Sequence, residues 1–344
     1  MATPRTEAET PVNPVPPPHT QTDVGIAAGG AREWRRRHVL DLDDFSVDEI
    51  ELVLETTTAM KEVLARDVPR APALRGTTIV TLFYESSTRT RSSFELAGKV
   101  LGADVINITS SGSSIEKGES LIDTVRTLRA IGAQILVMRH AMSGAPYVAA
   151  ANGDARVINA GDGWHAHPTQ GLLDLFTLRN HIGSLEGKRV VIVGDVQHSR
   201  VARTDLWGLT KMGAEVVVCG PRTLLPPGLG QYDSEHALPG VTVDTDLDRA
   251  IQGADAVMTL RLQKERMTGG LLPSLREYSR LYQINDARMA RAKAGAFVLH
   301  PGPMNEGVEI SASVAHGAAS LVEEQVQNGV AVRMALLYLM RGGK

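Results

Sequence analysis

From Val39 onward, short runs of aliphatic and β-branched residues alternate with segments whose apolar positions recur every three or four residues. The runs are Thr78–Phe83, Asp104–Ile108, Gln134–Met138, Arg156–Asn159, Arg189–Val193, Glu215–Cys219, Asp255–Leu260 and Ala296–Leu299. Most are continuously apolar, the pattern of strands covered on both faces. Between them, Phe94, Ala97 and Leu101 share one helical face, as do Leu121, Val125 and Leu128. Strand and helix repeated in this order predict an α/β fold of two doubly wound domains, each a parallel sheet flanked by helices.

The break between the sheets is expected near the helix that starts after His167–Gln170 and runs to about His181. This gives a first domain over 33–170 and a second over 171–319. A last helix within 320–344, apolar on one side from Leu321 to Met340, has to pack on something large and is assigned to the first domain. Leu224–Gly240, rich in Pro and Gly, reads as a surface loop, and Gln263–Ser274 as a mobile loop over a site. Residues 1–32 carry Pro4, Pro11, Pro14 and Pro16–Pro18 among threonines and glycines, a composition that buries no core and reads as a disordered tail. The tail has no apolar stretch of the kind a signal peptide needs, and Glu7, Glu9 and Asp23 are unusual for a transit peptide, the weaker alternative.

Composition narrows the partners. The chain has 344 residues, enough for two α/β cores, with 43% hydrophobic and 22% charged residues, as in soluble globular proteins. A net charge of −3 gives no overall field toward nucleic acid or an anionic membrane. No apolar run reaches the ~18 residues needed to span a bilayer. Arg35–Arg37 reads as a solvated approach to an element rather than a binding patch. The single cysteine, Cys219, sits in an apolar run and excludes internal disulfides and Cys₄ zinc sites.

The sharpest local chemistry is Tyr84-Glu-Ser-Ser-Thr-Arg-Thr-Arg91, placed where a strand ends and a helix begins. A helix N-terminus offers unmet backbone N–H groups and the positive end of the dipole. Ser87, Thr88 and Thr90 add hydroxyls, and Arg89 adds a planar fork suited to phosphate oxygens. A capped helix with surface arginines is the plainer alternative, but hydroxyls interleaved with arginines at a strand's carboxyl edge favour an anion seat.

Ser87-Thr-Arg-Thr-Arg91 resembles the carbamoyl phosphate signature of the aspartate and ornithine carbamoyltransferase family. Further motifs follow in the family's order: Met138-Arg-His140, His167-Pro-Thr-Gln170, Gly194-Asp-Val-Gln-His-Ser-Arg200, Thr259–Arg266 and His300-Pro-Gly-Pro303. The resemblance spans about residues 38 to 341. It implies that the first domain binds carbamoyl phosphate and the second L-aspartate. It assigns Ser87, Thr88, Arg89, Thr90, Arg139, His167, Gln170, Gly302 and Pro303 to carbamoyl phosphate, with Thr90, Arg139 and His167 donating to its carbonyl oxygen. Gln170 and the carbonyls near Gly302 and Pro303 would hold the carbamoyl NH₂.

For the acceptor, Arg200 matches the arginine given to the α-carboxylate, and Arg261 and Gln263 match the residues given to the side-chain carboxylate. A guanidinium there would repel the ammonium of ornithine. The ornithine branch typically carries cysteine where Pro301 stands. Arg266 is read as a solvated charge. Ser111–Glu119 resembles a loop donated by a neighbouring subunit, with Ser113 and Lys117 in the substrate-contacting positions and Ser114 a possible confusion for Ser113. Catalysis is thus expected from Arg89, Thr90, Arg139, His167 and Lys117, in a cytoplasmic homotrimer with shared active sites and without metal or cofactor. A regulatory or dihydroorotase partner stays open. Ala141 departs from the proline usual after the Arg-His pair.

Two other classes compete. The strand–turn–helix at Val190–Arg203 invites a dinucleotide-binding dehydrogenase, but Gly194 stands without a G-x-G-x-x-G. A non-catalytic scaffold would not explain why every polar contact position is intact. Within the fold, the runner-up is a carbamoyltransferase with a different amine acceptor.

Overall fold

The computed structural model describes residues 32–110, 118–229, 241–263, 270–272 and 274–342. Expectations for the tail up to residue 31, for Ser113 and Lys117, and for Arg266 fall outside these ranges. Strands β1 (Thr78–Phe83), β2 (Asp104–Thr109), β3 (Ile135–His140) and β4 (Arg156–Asp162) form a parallel sheet in the order β2-β1-β3-β4. Strands β5 (Arg189–Val193), β6 (Glu215–Cys219), β7 (Val241–Asp244), β8 (Ala256–Thr259) and β9 (Phe297–Leu299) form a second, also parallel, in the order β7-β6-β5-β8-β9. Each sheet reverses its winding once, between β1 and β3 and between β5 and β8. Doubly wound sheets bind ligands outside the strand carboxyl ends at such points. Only β7 escapes the sequence reading. Val241 and Val243 alternate with Thr242 and Asp244 in a short edge strand, without the continuous apolar run of the interior strands.

The helices are α1 (Val47–Leu64), α2 (Thr88–Val100), α3 (Leu121–Ala130), α4 (Ala145–Asn152), α5 (Pro168–Ile182), α6 (Arg200–Lys211), α7 (Leu247–Ala250), α8 (Leu275–Tyr282), α9 (Asp286–Met289), α10 (Ala312–Ala315) and α11 (Val322–Gly342). Period-two alternation sorts the strand residues between layers. Ile79 and Phe83 join one core with residues of α1, α2, α5 and α11, while Val80 and Leu82 pack with residues of α3 and α4. In the second sheet Val190 and Ile192 continue that first core through α6, and Val191 and Val193 pack with residues of α7, α8 and α10. One apolar core therefore runs from sheet to sheet.

The joint is α5, buried from Pro168 through Leu178. A helix buried all round can carry polar side chains only if each finds a partner. Here α11, which packs against α1, α2 and α5, supplies them. Gln325 Nε2 donates to Asp174 Oδ1 at 2.6 Å and Asn328 Nδ2 to Thr177 Oγ1 at 2.9 Å. Within the basic cluster Arg35 and Arg37 are exposed, as expected of a solvated approach, but Arg36 is not: it bonds Asp44 and Glu49 and lies over the Phe45 ring. Cys219 is buried. Among the described residues no helix is long and apolar enough to cross a membrane.

Gly171 sets how closely α5 and α6 approach. A Cβ there would fall 2.6 Å from Thr204 Cγ2 and 3.1 Å from Leu42 Cδ1. Alanine would gain about 1 kcal/mol of helix propensity, but overpacking a fixed core costs about 1–3 kcal/mol, and a β-branched neighbour has little room to turn. Gly171→Ala is therefore expected to lower the unfolding free energy by about 1 kcal/mol in urea titration and to reduce turnover.

Candidate active site

Every expected site residue that the structure describes lines one cavity of about 660 Å³. It is built where strands of both sheets end. From the first sheet, β1 leads through Glu85 to the start of α2, β3 ends beside Arg139, and β4 leads to His167. From the second, β5 leads to Arg200, β8 to Arg261 and Gln263, and β9 to His300–Pro303.

Helix α2 begins in a manner suited to an anion. Ser46, Ser120 and Ser199 at the starts of α1, α3 and α6 each accept a backbone N–H. Ser87 at the start of α2 makes no such bond, so the first turn keeps its N–H groups without a side-chain cap. Arg89 forms no hydrogen bond or ion pair among the described residues. Burial, and then the nearby Arg261 guanidinium, hold its pKa below the ordinary arginine value. Its guanidinium lies over Gly302, where a Cβ would be only 2.5 Å from Nη1 and where φ is +63°. Glycine at 302 meets both demands. The Gly302–Pro303 peptide bond is cis.

His167 stands at the N-cap of α5 without capping it. Its backbone N–H donates to Thr204 Oγ1 at 2.8 Å, and its Nδ1 lies 3.5 Å from the Thr169 hydroxyl. Burial, followed by the charges of Arg139, Arg200 and Arg333, holds its pKa well below the usual histidine value. The ring is therefore neutral at neutral pH. Such a ring is a hydrogen-bond donor that adds no charge.

Sequence reasoning gave Glu85 no role, although it lies inside the quoted motif. Arg139 Nη2 and Arg200 Nη2 both donate to its Oε1 at 2.9 Å, and Arg200 Nη1 donates to its Oε2 at 2.9 Å. The available signal was a lone carboxylate in a basic, hydroxyl-rich segment. Two polar residues of α11, Gln325 and Arg333, also line the cavity, beside Val322 and Val326 of the same helix, and carry no motif. Arg333 is buried with no hydrogen bond or ion pair among the described residues, and burial pushes its pKa down to about 10 although Asp174 opposes the shift. At the second sheet, Asp195 accepts from the backbone N–H groups of His198 at 3.2 Å and Gln263 at 3.4 Å. It thereby ties the turn before Arg200 to the Arg261–Gln263 segment. Among the described residues no His, Cys, Asp and Glu cluster is placed to hold a metal ion.

Residues 37–180 match the family model of the aspartate/ornithine carbamoyltransferase carbamoyl-P binding domain, and residues 186–340 that of the Asp/Orn binding domain. The chain belongs to the aspartate/ornithine carbamoyltransferase family. Among carbamoyltransferases it is 62% identical over 316 residues to the aspartate carbamoyltransferase catalytic subunit of Roseiflexus sp. (strain RS-1), covering 92% of this chain and 98% of that one. To the Dehalococcoides mccartyi (strain BAV1) catalytic subunit it is 55% identical over 327 residues, 95% of this chain and 98% of the relative. The structure is similar to aspartate transcarbamoylase of Trypanosoma cruzi in complex with N-(phosphonacetyl)-L-aspartic acid, with TM-score 0.80 at 32% identity, covering 89% and 96% of the two chains. It is also similar to ornithine carbamoyltransferase of Pyrococcus furiosus, with TM-score 0.79 at 26% identity over 91% and 98%. Backbone shape therefore does not separate the two carbamoyltransferase branches. Side chains and sequence identity must.

Two neighbouring histidines make the electrostatics measurable. A hydrogen bond to Asp162 raises the pKa of His165, whereas burial lowers that of His167. In NMR of histidine-labelled protein, His167 is expected to keep neutral-imidazole shifts from pH 8 down to pH 6, while His165 titrates above the ordinary value of about 6.5. A His167 that protonates within this range would contradict its buried cationic surroundings.

Proposed function

We propose that this chain transfers the carbamoyl group of carbamoyl phosphate to the amine of L-aspartate, giving N-carbamoyl-L-aspartate and phosphate, the reaction of de novo pyrimidine biosynthesis. The observation that carries this reading is the pairing, across one cavity, of an anion seat on the first sheet with Arg200, Arg261 and Gln263 on the second. The first sheet with α11 acts as the carbamoyl phosphate lobe and the second as the acceptor lobe. The high identity to aspartate enzymes supports the acceptor.

In this reading Ser87, Thr88, Arg89 and the uncapped turn of α2 hold phosphate. Aspartate's neutral amine attacks the carbonyl carbon, the carbonyl oxygen becomes an oxyanion, and Thr90, Arg139 and His167 donate to it. As the tetrahedral centre collapses, the C–O bond to phosphate breaks and the departing phosphate takes the proton lost by the amine. Gln170 with the Gly302 and Pro303 carbonyls receives the carbamoyl NH₂. Arg200 binds the α-carboxylate, which must share that guanidinium with Glu85 or displace it, and Arg261 with Gln263 binds the side-chain carboxylate. No step calls for a metal or cofactor. In this reading the site of action is the cytoplasm.

Purified protein is expected to carbamoylate L-aspartate and leave L-ornithine untouched. Arg261→Ala should raise KM for aspartate at least tenfold, the scale of a lost charged hydrogen bond, with carbamoyl phosphate affinity nearly intact. Citrulline formation in a colorimetric assay would reverse the acceptor assignment.

The same reading includes a homotrimer whose sites are completed by Ser113 and Lys117 of a neighbouring subunit. Its support is the resemblance of that loop and its departure from β2, an exposed sheet edge with Ile106 40% exposed. Arg89→Ala and Lys117→Ala should each be nearly inactive. Refolded together in equal amounts, random assembly restores about a quarter of the sites in a closed ring. No recovered activity, in mixtures that native mass spectrometry shows to be hybrid, would place Lys117 outside the neighbour's site.

A further inference from the structure

An amide side chain can turn either its oxygen or its NH₂ toward a ligand, and only the oxygen accepts from a carbamoyl NH₂. Something must therefore fix the orientation of Gln170. The group in position to do so lies one helical turn deeper. Gln170 Nε2 donates to the two carboxylate oxygens of Asp174 at 3.1 and 3.2 Å. Gln325 Nε2 donates to the same carboxylate at 2.6 Å, and its own oxygen accepts the backbone N–H of His300 at 2.9 Å. His300 Nδ1 in turn accepts the N–H of Gly302 at 2.7 Å. Asp174 is 1% exposed and lies outside the cavity wall, so it touches no ligand itself.

We propose that Asp174 is a positioning residue: by accepting from both glutamines it turns the Gln170 oxygen into the cavity and ties the His300–Pro303 turn to the same point, so that the site selects an acyl phosphate bearing an NH₂. This rests on the reading of the cavity as a carbamoyl phosphate site. A carboxylate has no proton to offer, so neither amide can reverse while Asp174 is ionised. Burial is the largest influence and pushes its pKa up to about 7, while the bonds from Gln325 and Gln170 and the Arg333 cation hold it from rising further, so the ionised form that locks both amides prevails above neutral pH. Asp205 is buried without a hydrogen-bond partner among the described residues and is pushed up by burial and then by Asp174, so Asp205 is the neutral carboxyl of the two.

Asp174→Asn keeps the shape and adds a donor. The new NH₂ must face one of the two glutamine amides and turn it round. The test compares affinities for carbamoyl phosphate, acetyl phosphate and inorganic phosphate, the second differing from the first by CH₃ in place of NH₂. The expected result is a loss of about tenfold for carbamoyl phosphate, with the other two unchanged within about twofold. The double variant Asp174→Asn/Gln170→Glu should recover the preference. There the amide introduced at position 174 donates to one oxygen of the carboxylate introduced at position 170, and the other oxygen again accepts from the ligand. If the single variant fails to fold, recovery or its absence in the double variant decides the question. Weakening of all three ligands alike, or a preference that survives Asp174→Asn, would overturn the proposal alone. Wild-type protein that binds neither acyl phosphate would overturn the site reading and the proposal with it.

Discussion

The carboxylate of Glu85 makes the charge of the cavity tolerable. Arg89, Arg139, Arg200, Arg261 and Arg333 all line the same space. At an effective dielectric of about 20, two like charges ~4 Å apart repel by about 4 kcal/mol, a large share of the ~5–15 kcal/mol that keeps a domain folded. Glu85 bonds two of these guanidiniums, one carried by the strand ends of each sheet. It therefore neutralises charge and joins the sheets in the same contacts. Arg89 and Arg333, which form no ion pair among the described residues, carry charges that an anionic ligand can compensate. Binding of anions and approach of the two sheets are thus parts of one electrostatic problem.

The second constraint is the cost of burying polar groups in α5. Polar atoms in a dry helix interface are destabilising unless each is met. Gln170, Asp174 and Thr177 recur at helical spacing: Gln170 donates to Asp174, and Asp174 and Thr177 are met by Gln325 and Asn328 from a helix some 150 residues later. An all-apolar seam would pack as well. A polar one fixes the registry of α5 against α11, and with it the wall from which His167 and Gln170 reach the cavity.

The strands were legible because burial on both faces leaves continuous apolar runs, as at Arg189–Val193 and Glu215–Cys219. The strand β7 was not, because an exposed edge needs no such run. Likewise Ser87–Thr90, Arg139, His167 and Arg200 announce themselves at strand–helix junctions, where the chain itself sets the geometry. Gln325 and Arg333 do not. They are polar residues in an apolar helix, and nothing local says which distant surface they face. Glu85 was visible as a charge but not as a bridge, since its partners belong to β3 and to the far sheet. What the sequence withheld was tertiary in each case.

The return of α11 onto α1, α2 and α5 bears on the order in which the chain is made. Synthesis at roughly 5–20 residues per second delivers α1 and α2 well before residues 322–342 exist. Until then the apolar faces that α11 covers are open, and Asp174 has no Gln325 to receive. The first sheet can form early, but its core cannot close until the whole second sheet has been translated. For many seconds that unfinished surface faces neighbouring nascent chains on the polysome, an association hazard that ends only when α11 docks.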